Sequence, residues 1–173
     1  MKLVYVTASL PFGAGEAFII SELEELLAQQ HELLIVPRSP GRAVYHADAQ
    51  KLVRYTLRMP LLSLQVLLTA AGVAVRSPGR AWRALRLLFK SRNLLILVKN
   101  LSVYPKGLWL AEVARRWEAA HIHAHWSSTT ATMAMVASEV SGIPWSFTAH
   151  RWDIVEGNLL AQKVAHAAFA RFI

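Results

Sequence analysis

Three histidines stand at i, i+2 and i+4 in HIHAHW: His121, His123 and His125. On a strand this spacing sets all three side chains on one face. Three imidazoles in a row can offer nitrogens to a metal ion or to a polar substrate. Hydrolytic metal centres also use carboxylates, and the nearest downstream groups able to complete such a set are His150, Asp153 and Glu156. Without a carboxylate in the run itself, structural roles suit His121 and His123 best and no metal site is assigned, a metal-dependent hydrolase built on HIHAH staying as the alternative. His125 is the better functional candidate, because it ends the run, where an open α/β sheet places its ligands.

A second group lies in FTAHRWD, where His150 follows an apolar run and Asp153 comes three residues later. A strand-end histidine can donate to a sugar hydroxyl or a phosphate, and a nearby carboxylate can orient it. The third is the loop PFGAGE, residues 11–16, whose glycines allow backbone amides to approach an anionic ligand at the start of a helix. Its other reading is a tight turn with Glu16 near a helix start. Dinucleotide binding is excluded, because Phe18 stands where a third glycine belongs and Pro37 and Arg38 stand where the second strand should end in an acid. No Lys-Ser or Lys-Thr follows the glycines, which excludes a Walker loop, and there is no GxSxG elbow for acyl transfer.

These residues need elements to hold them. KLVYVT at 2–7 reads as a buried strand, Glu16–Gln30 as a helix with Phe18, Ile19, Leu23, Leu26 and Leu27 on one face, and ELLIVP at 32–37 as a second strand. Together they form a βαβ unit with a parallel pair. From about 45 to 120 the chain is Leu-, Arg- and Ala-rich, punctuated by Pro60, Pro78 and Pro105, and predicts two to four helices. The alternation resumes with a strand at 121–126 and a helix from about Ser127 to Ser141, capped by Ser127, Ser128 or Thr129 and stopped by Gly142. A strand at 145–149, the loop HRWDIVEGN, a short helix at about 158–168 and a strand beginning at Phe169 complete the order. The prediction is one α/β domain over 1–173: a Rossmann-like parallel sheet with helices on both faces and a helical, basic insert.

Composition narrows the chemistry. With 54% hydrophobic and 17% charged residues over 173 positions, the chain folds around a core. It has no cysteine, which excludes disulfides, thiolate metal sites and thiol nucleophiles and points to a reducing compartment. The net charge is +8, yet residues 49–111 hold eleven Lys and Arg and no acid, leaving −3 for the rest. The basicity belongs to the insert and calls for an anionic partner. Within it Arg80, Arg83, Arg86 and Lys90 are spaced along one helix, with Trp82, Leu85, Leu88 and Phe89 read as its opposite arc, a pattern suited to an anionic membrane surface. Nucleic acid is excluded as a partner for want of a recognition motif. No uncharged run makes a spanning helix and no secretory leader is read at the N-terminus, so the expected location is cytoplasmic, peripheral to the inner face of the plasma membrane.

The segments PFGAGEAFIISELEELLAQQHEL and HIHAHWSSTTATMAMVASEVSGIPWSFTAHRWDI resemble the N-terminal half of family 4 glycosyltransferases of the GT-B fold, especially those that build bacterial exopolysaccharides. The resemblance covers about 1–38 and 121–173. It implies a retaining transferase that moves a sugar from a nucleotide-sugar donor to a saccharide or lipid-linked acceptor without a cofactor or metal. This chain would be its acceptor-side domain, inactive alone, the donor-binding C-terminal domain lying outside it. By the same resemblance Gly13, Ala14, Gly15 and Glu16 form the loop facing donor phosphates and acceptor, His150 contacts the donor sugar as the catalytic residue, and His125 and Asp153 support the cleft. Many relatives have Ser-Glu-Thr-Phe where Gly15, Glu16, Ala17 and Phe18 stand here. The remaining alternative is a non-catalytic basic module that docks on membranes.

Overall fold

The alternation of β-rich and helical segments produces a sheet of five strands, all parallel, in a computed structural model that describes residues 1–173. β1 (Lys2–Thr7), β2 (Glu32–Pro37), β3 (His121–His125), β4 (Trp145–Ala149) and β5 (Phe169–Phe172) lie in the order β2-β1-β3-β4-β5. β1 is almost wholly apolar and buried on both faces, as a central parallel strand must be. Its crossover to β2 runs through α1 (Ile20–Ala28), and the 2-1-3 order places the topological switch point between β1 and β3.

The two faces have separate cores. Leu3, Tyr5, Leu33 and Ile35 meet Ile19, Ile20 and Leu23 on the α1 side. On the other face Val4, Val6, Ile122, Ala124 and Phe147 join a cluster of 29 buried residues with the helices. The Val, Leu, Ile, Met and Phe side chains in it each contribute about 1.5–3 kcal/mol when fully buried, so this cluster is the main drive for folding. The fold is therefore α/β, Rossmann-like, with helices on both faces.

Between β2 and β3 the chain forms a 3-10 segment at Ala47–Tyr55 and three helices, α2 (Leu64–Arg76), α3 (Pro78–Leu88) and α4 (Leu94–Arg116). Ser63 and Asn93 cap α2 and α4 through their side chains. Pro105 does not punctuate this segment as expected, because α4 runs through it. The lost N–H and the ring clash cost roughly 3 kcal/mol, which the burial of Val103, Leu108, Trp109 and Leu110 around it outweighs. α4 approaches α5 (Thr129–Ser141) closely at Gly107, where a Cβ would lie 2.7 Å from the Val136 side chain. α5 ends at Gly142, whose φ of +80° is the left-handed conformation a helix stop uses.

Two further differences matter for the site. β3 stops at His125, because Trp126 has a φ of +83° and turns the chain. HRWDIVEGN is not a loop: Arg151–Glu156 is α6, followed by α7 (Leu160–His166). The N-cap of α6 is His150, whose backbone amide donates to the Asp153 carboxylate three residues on, the backbone half of a capping box. Histidine is outside the usual Ser, Thr, Asp and Asn caps, so that start signal was silent in the sequence. No helix is long and apolar enough to cross a membrane.

Candidate functional site

Glu16 organises the loop after β1. Its carboxylate, 2% exposed, accepts the backbone amides of Ala8 at 2.8 Å, Ser9 at 2.7 Å and Leu10 at 2.8 Å. It also takes the Ser9 hydroxyl at 3.1 Å and the Trp126 indole N–H at 2.9 Å. The carboxylate expected to face a ligand therefore faces inward, since five donors converge on it and none is left for a substrate. The helix expected from Glu16 begins as a 3-10 turn, Ala14–Ile19, and becomes α1 only at Ile20. Gly13 is required by crowding, as a Cβ there would lie 1.9 Å from the Ser9 hydroxyl oxygen. Gly15 has open space around it, so Ala14 and Gly15 form the outer lip of the loop.

His125 and His150 meet across the ends of β3 and β4, their Nε2 atoms 2.8 Å apart. Asp153 sits beneath both loops: Oδ1 accepts the His150 amide at 2.7 Å, and Oδ2 accepts the Ser127 amide. Phe18 stands over this group with its ring 5.4 Å from His125, 5.7 Å from Trp126 and 5.5 Å from His150. The helical period sets it on the buried face of α1, yet it is 51% exposed, because the 3-10 turn redirects it across the strand ends. Glu16, His125, His150 and Asp153 are thus one connected cluster at the C-terminal edge of the sheet, where α/β folds bind ligands.

His121 and His123 lie lower on the same face. Both reach the Ser146 hydroxyl, at 2.7 Å and 2.8 Å, and His123 also meets the Thr148 hydroxyl at 3.2 Å. Burial pushes His123 down to about 3 and His125 to about 4, so both are neutral at physiological pH. Tyr5 crosses from β1 to join them. Its hydroxyl donates to Glu22 at 2.7 Å and lies 3.0 Å from His125 Nδ1. Burial raises Tyr5 well above its ordinary value, with the Glu22 charge adding to the effect. Burial also raises Glu22, but the Tyr5 hydroxyl and Arg171 more than offset it, leaving the carboxyl below its ordinary value. Ligand-type atoms of Glu22, His123 and His125 fall within 4.8 Å of one another, beside an open groove of about 280 Å³. Each is already paired with a protein partner, and the carboxylate is on α1 rather than at the downstream Asp153 or Glu156.

Several of these residues carry no motif. Tyr5, Glu22 and Arg171 come from β1, α1 and β5, and only the pairing of Tyr5 with His123 in register brings them to the histidines. Two buried lysines clamp strand-end loops in the same way. Lys163 donates to the carbonyls of Ser127 at 2.6 Å, Ser128 at 2.8 Å and Asn158 at 2.6 Å. Lys106 donates to those of Pro37 at 2.6 Å, Arg38 at 2.8 Å and Met59 at 2.7 Å. Burial pushes both amines down to about 7, against which three acceptor carbonyls favour the ammonium, the only form with three N–H donors. Lys106 is accordingly a core residue and not part of the insert's surface charge.

The basic helix α3 is arranged differently from the expected arcs. Ala81, Ala84 and Leu88 face the core, while Trp82 (58% exposed) and Phe89 at the helix end (57% exposed) point outward beside Arg86. Leu88 and Trp82 therefore do not share an arc. Arg80 donates to the Val140 carbonyl at 3.0 Å and Arg83 pairs with Glu139 at 2.9 Å, tying both to α5. Arg86 and Lys90 are exposed and make no ion pair. The larger apolar surface is on α2, where Leu64, Leu67, Leu68 and Val75 are exposed along one side.

No protein-family profile matches the chain. No curated protein matches it either.

Proposed function

We propose that this chain is the acceptor-side domain of a retaining glycosyltransferase, which moves a sugar from a nucleotide-sugar donor to a saccharide or lipid-linked acceptor in cell-surface polysaccharide synthesis. The observation that carries this reading is the joining of His125, His150 and Asp153 with the Glu16-organised loop at the sheet's C-terminal edge. A sugar transfer needs polar groups that hold hydroxyls, a positioned acceptor and exclusion of water. The imidazole pair supplies the first, and the exposed lip of Phe18, Ala14 and Gly15 supplies a surface for a second domain to close on. The donor diphosphate falls to that domain, since neither Glu16 nor the buried lysines offer it a free group. On this reading His150 is the catalytic residue that contacts the sugar, and the reaction uses no metal.

The partners follow from the insert. Arg86 and Lys90 beside Trp82 and Phe89, with the apolar row of α2, suit an anionic bilayer on the cytoplasmic side that carries the acceptor. Titration of this chain with UDP- and GDP-sugars tests the division of labour: weak binding and no turnover are expected, and micromolar donor affinity contradicts it. Chelator-sensitive hydrolysis without a sugar nucleotide would favour a metal-dependent hydrolase instead.

A further inference from the structure

One end of a hydrogen-bond chain has fixed polarity, because a carboxylate only accepts. Tyr5 donates its hydrogen to Glu22 Oε1 at 2.7 Å, and Arg171 holds the other carboxylate oxygen at 2.7 Å.

With the Tyr5 hydrogen taken by the carboxylate, the hydroxyl oxygen accepts from His125 Nδ1–H 3.0 Å away, and the other nitrogen of the neutral ring, Nε2, accepts from His150 Nε2–H at 2.8 Å. We propose that Glu22, Tyr5, His125 and His150 form a proton-ordered relay that holds His125 as the Nδ1–H tautomer and keeps a proton on His150 Nε2, with Tyr5 and Glu22 as positioning residues for the histidine pair. The low pKa of His125, set by burial, keeps it neutral as the relay requires.

The relay has a consequence for the cleft, resting on the transferase reading. When a substrate hydroxyl draws the Nε2–H of His150 away, the lone pair on His125 Nε2 is released beside it. A donor and an acceptor then stand together for one hydroxyl, with His125 aimed by the Tyr5 and Glu22 contacts on the α1-side face of the sheet.

The tautomers are readable in the free protein by long-range nitrogen–proton NMR correlation on histidine-labelled material at neutral pH, with His125→Asn and His150→Asn assigning the signals. His125 should show a protonated Nδ1 and His150 a protonated Nε2. Tyr5→Phe removes the acceptor of His125 Nδ1–H, and Glu22→Ala frees the Tyr5 hydroxyl to donate to Nδ1, so either change should move His125 toward the Nε2–H form. Wild-type His125 protonated on Nε2, or tautomers unmoved in a folded Glu22→Ala protein, would overturn the relay. The wild-type spectrum decides the first point even where a variant fails to fold. Neither outcome depends on sugar transfer, so a failed relay and a failed transferase reading are distinguishable.

Discussion

The Nε2 atoms of His125 and His150 lie 2.8 Å apart, a separation at which one proton must sit between them. Each ring comes from the end of a different parallel strand; His125 has its Nδ1 held from behind by Tyr5, and the His150 backbone amide is held by Asp153. The pair is thus oriented before any ligand arrives.

Glu16 should behave as a stability residue. Glu16→Ala leaves the amides of Ala8, Ser9 and Leu10 buried without their acceptor. At about 1–3 kcal/mol for each unsatisfied group, a loss of at least about 3 kcal/mol is expected in urea denaturation. A change below about 1 kcal/mol would show that the loop holds itself.

The pH dependence of stability should follow the buried imidazoles. His123 and His125 titrate at about 3 and about 4 in the fold, below the ordinary value of 6.5. The unfolded chain therefore binds more protons, so their contribution is fully present above about pH 6.5 and is lost as pH falls toward the folded values. Between about pH 6.5 and 5, above the carboxylate range, urea midpoints should drop steadily, and less so in His123→Gln. A flat profile over that interval would mean that the histidines take up protons in the fold.

Much of this frame was legible from residue order. Strands at Lys2–Thr7, Glu32–Pro37 and Trp145–Ala149 coincide with their apolar runs, because parallel central strands are continuous hydrophobic stretches. The strand-end positions of His125 and His150 followed from the same runs. The partners did not, because Tyr5, Glu22 and Arg171 are separated from His125 by long stretches of chain or by strand pairing that no local pattern encodes. Helix α6 has no start signal in the sequence because its cap is a histidine, and Phe18 leaves the buried face because a 3-10 turn breaks the helical period.

Association with anionic vesicles should depend on both α2 and α3. Co-sedimentation with phosphatidylglycerol-containing vesicles is expected at low salt, weakening steeply as salt rises. Arg86→Gln with Lys90→Gln should reduce it, and Leu64→Ser with Leu68→Ser should reduce it without changing the salt dependence, since the leucines act by burial in the headgroup boundary. Binding that ignores salt, or its absence at low salt, would remove the membrane from the list of partners.

The most direct measurement is the sugar-transfer rate of the polypeptide in which this chain is joined to a donor-binding half, compared between His150→Ala and His123→Ala. His150 is a half-buried strand-end group in the cleft, whereas His123 is held by the Ser146 and Thr148 hydroxyls within the sheet face. His150→Ala is expected to lower the rate at least about tenfold with the fold retained, and His123→Ala to act mainly on stability. Full activity in His150→Ala, together with an inactive but well-folded His123→Ala, would contradict the assignment of the strand-end pair as the site of transfer.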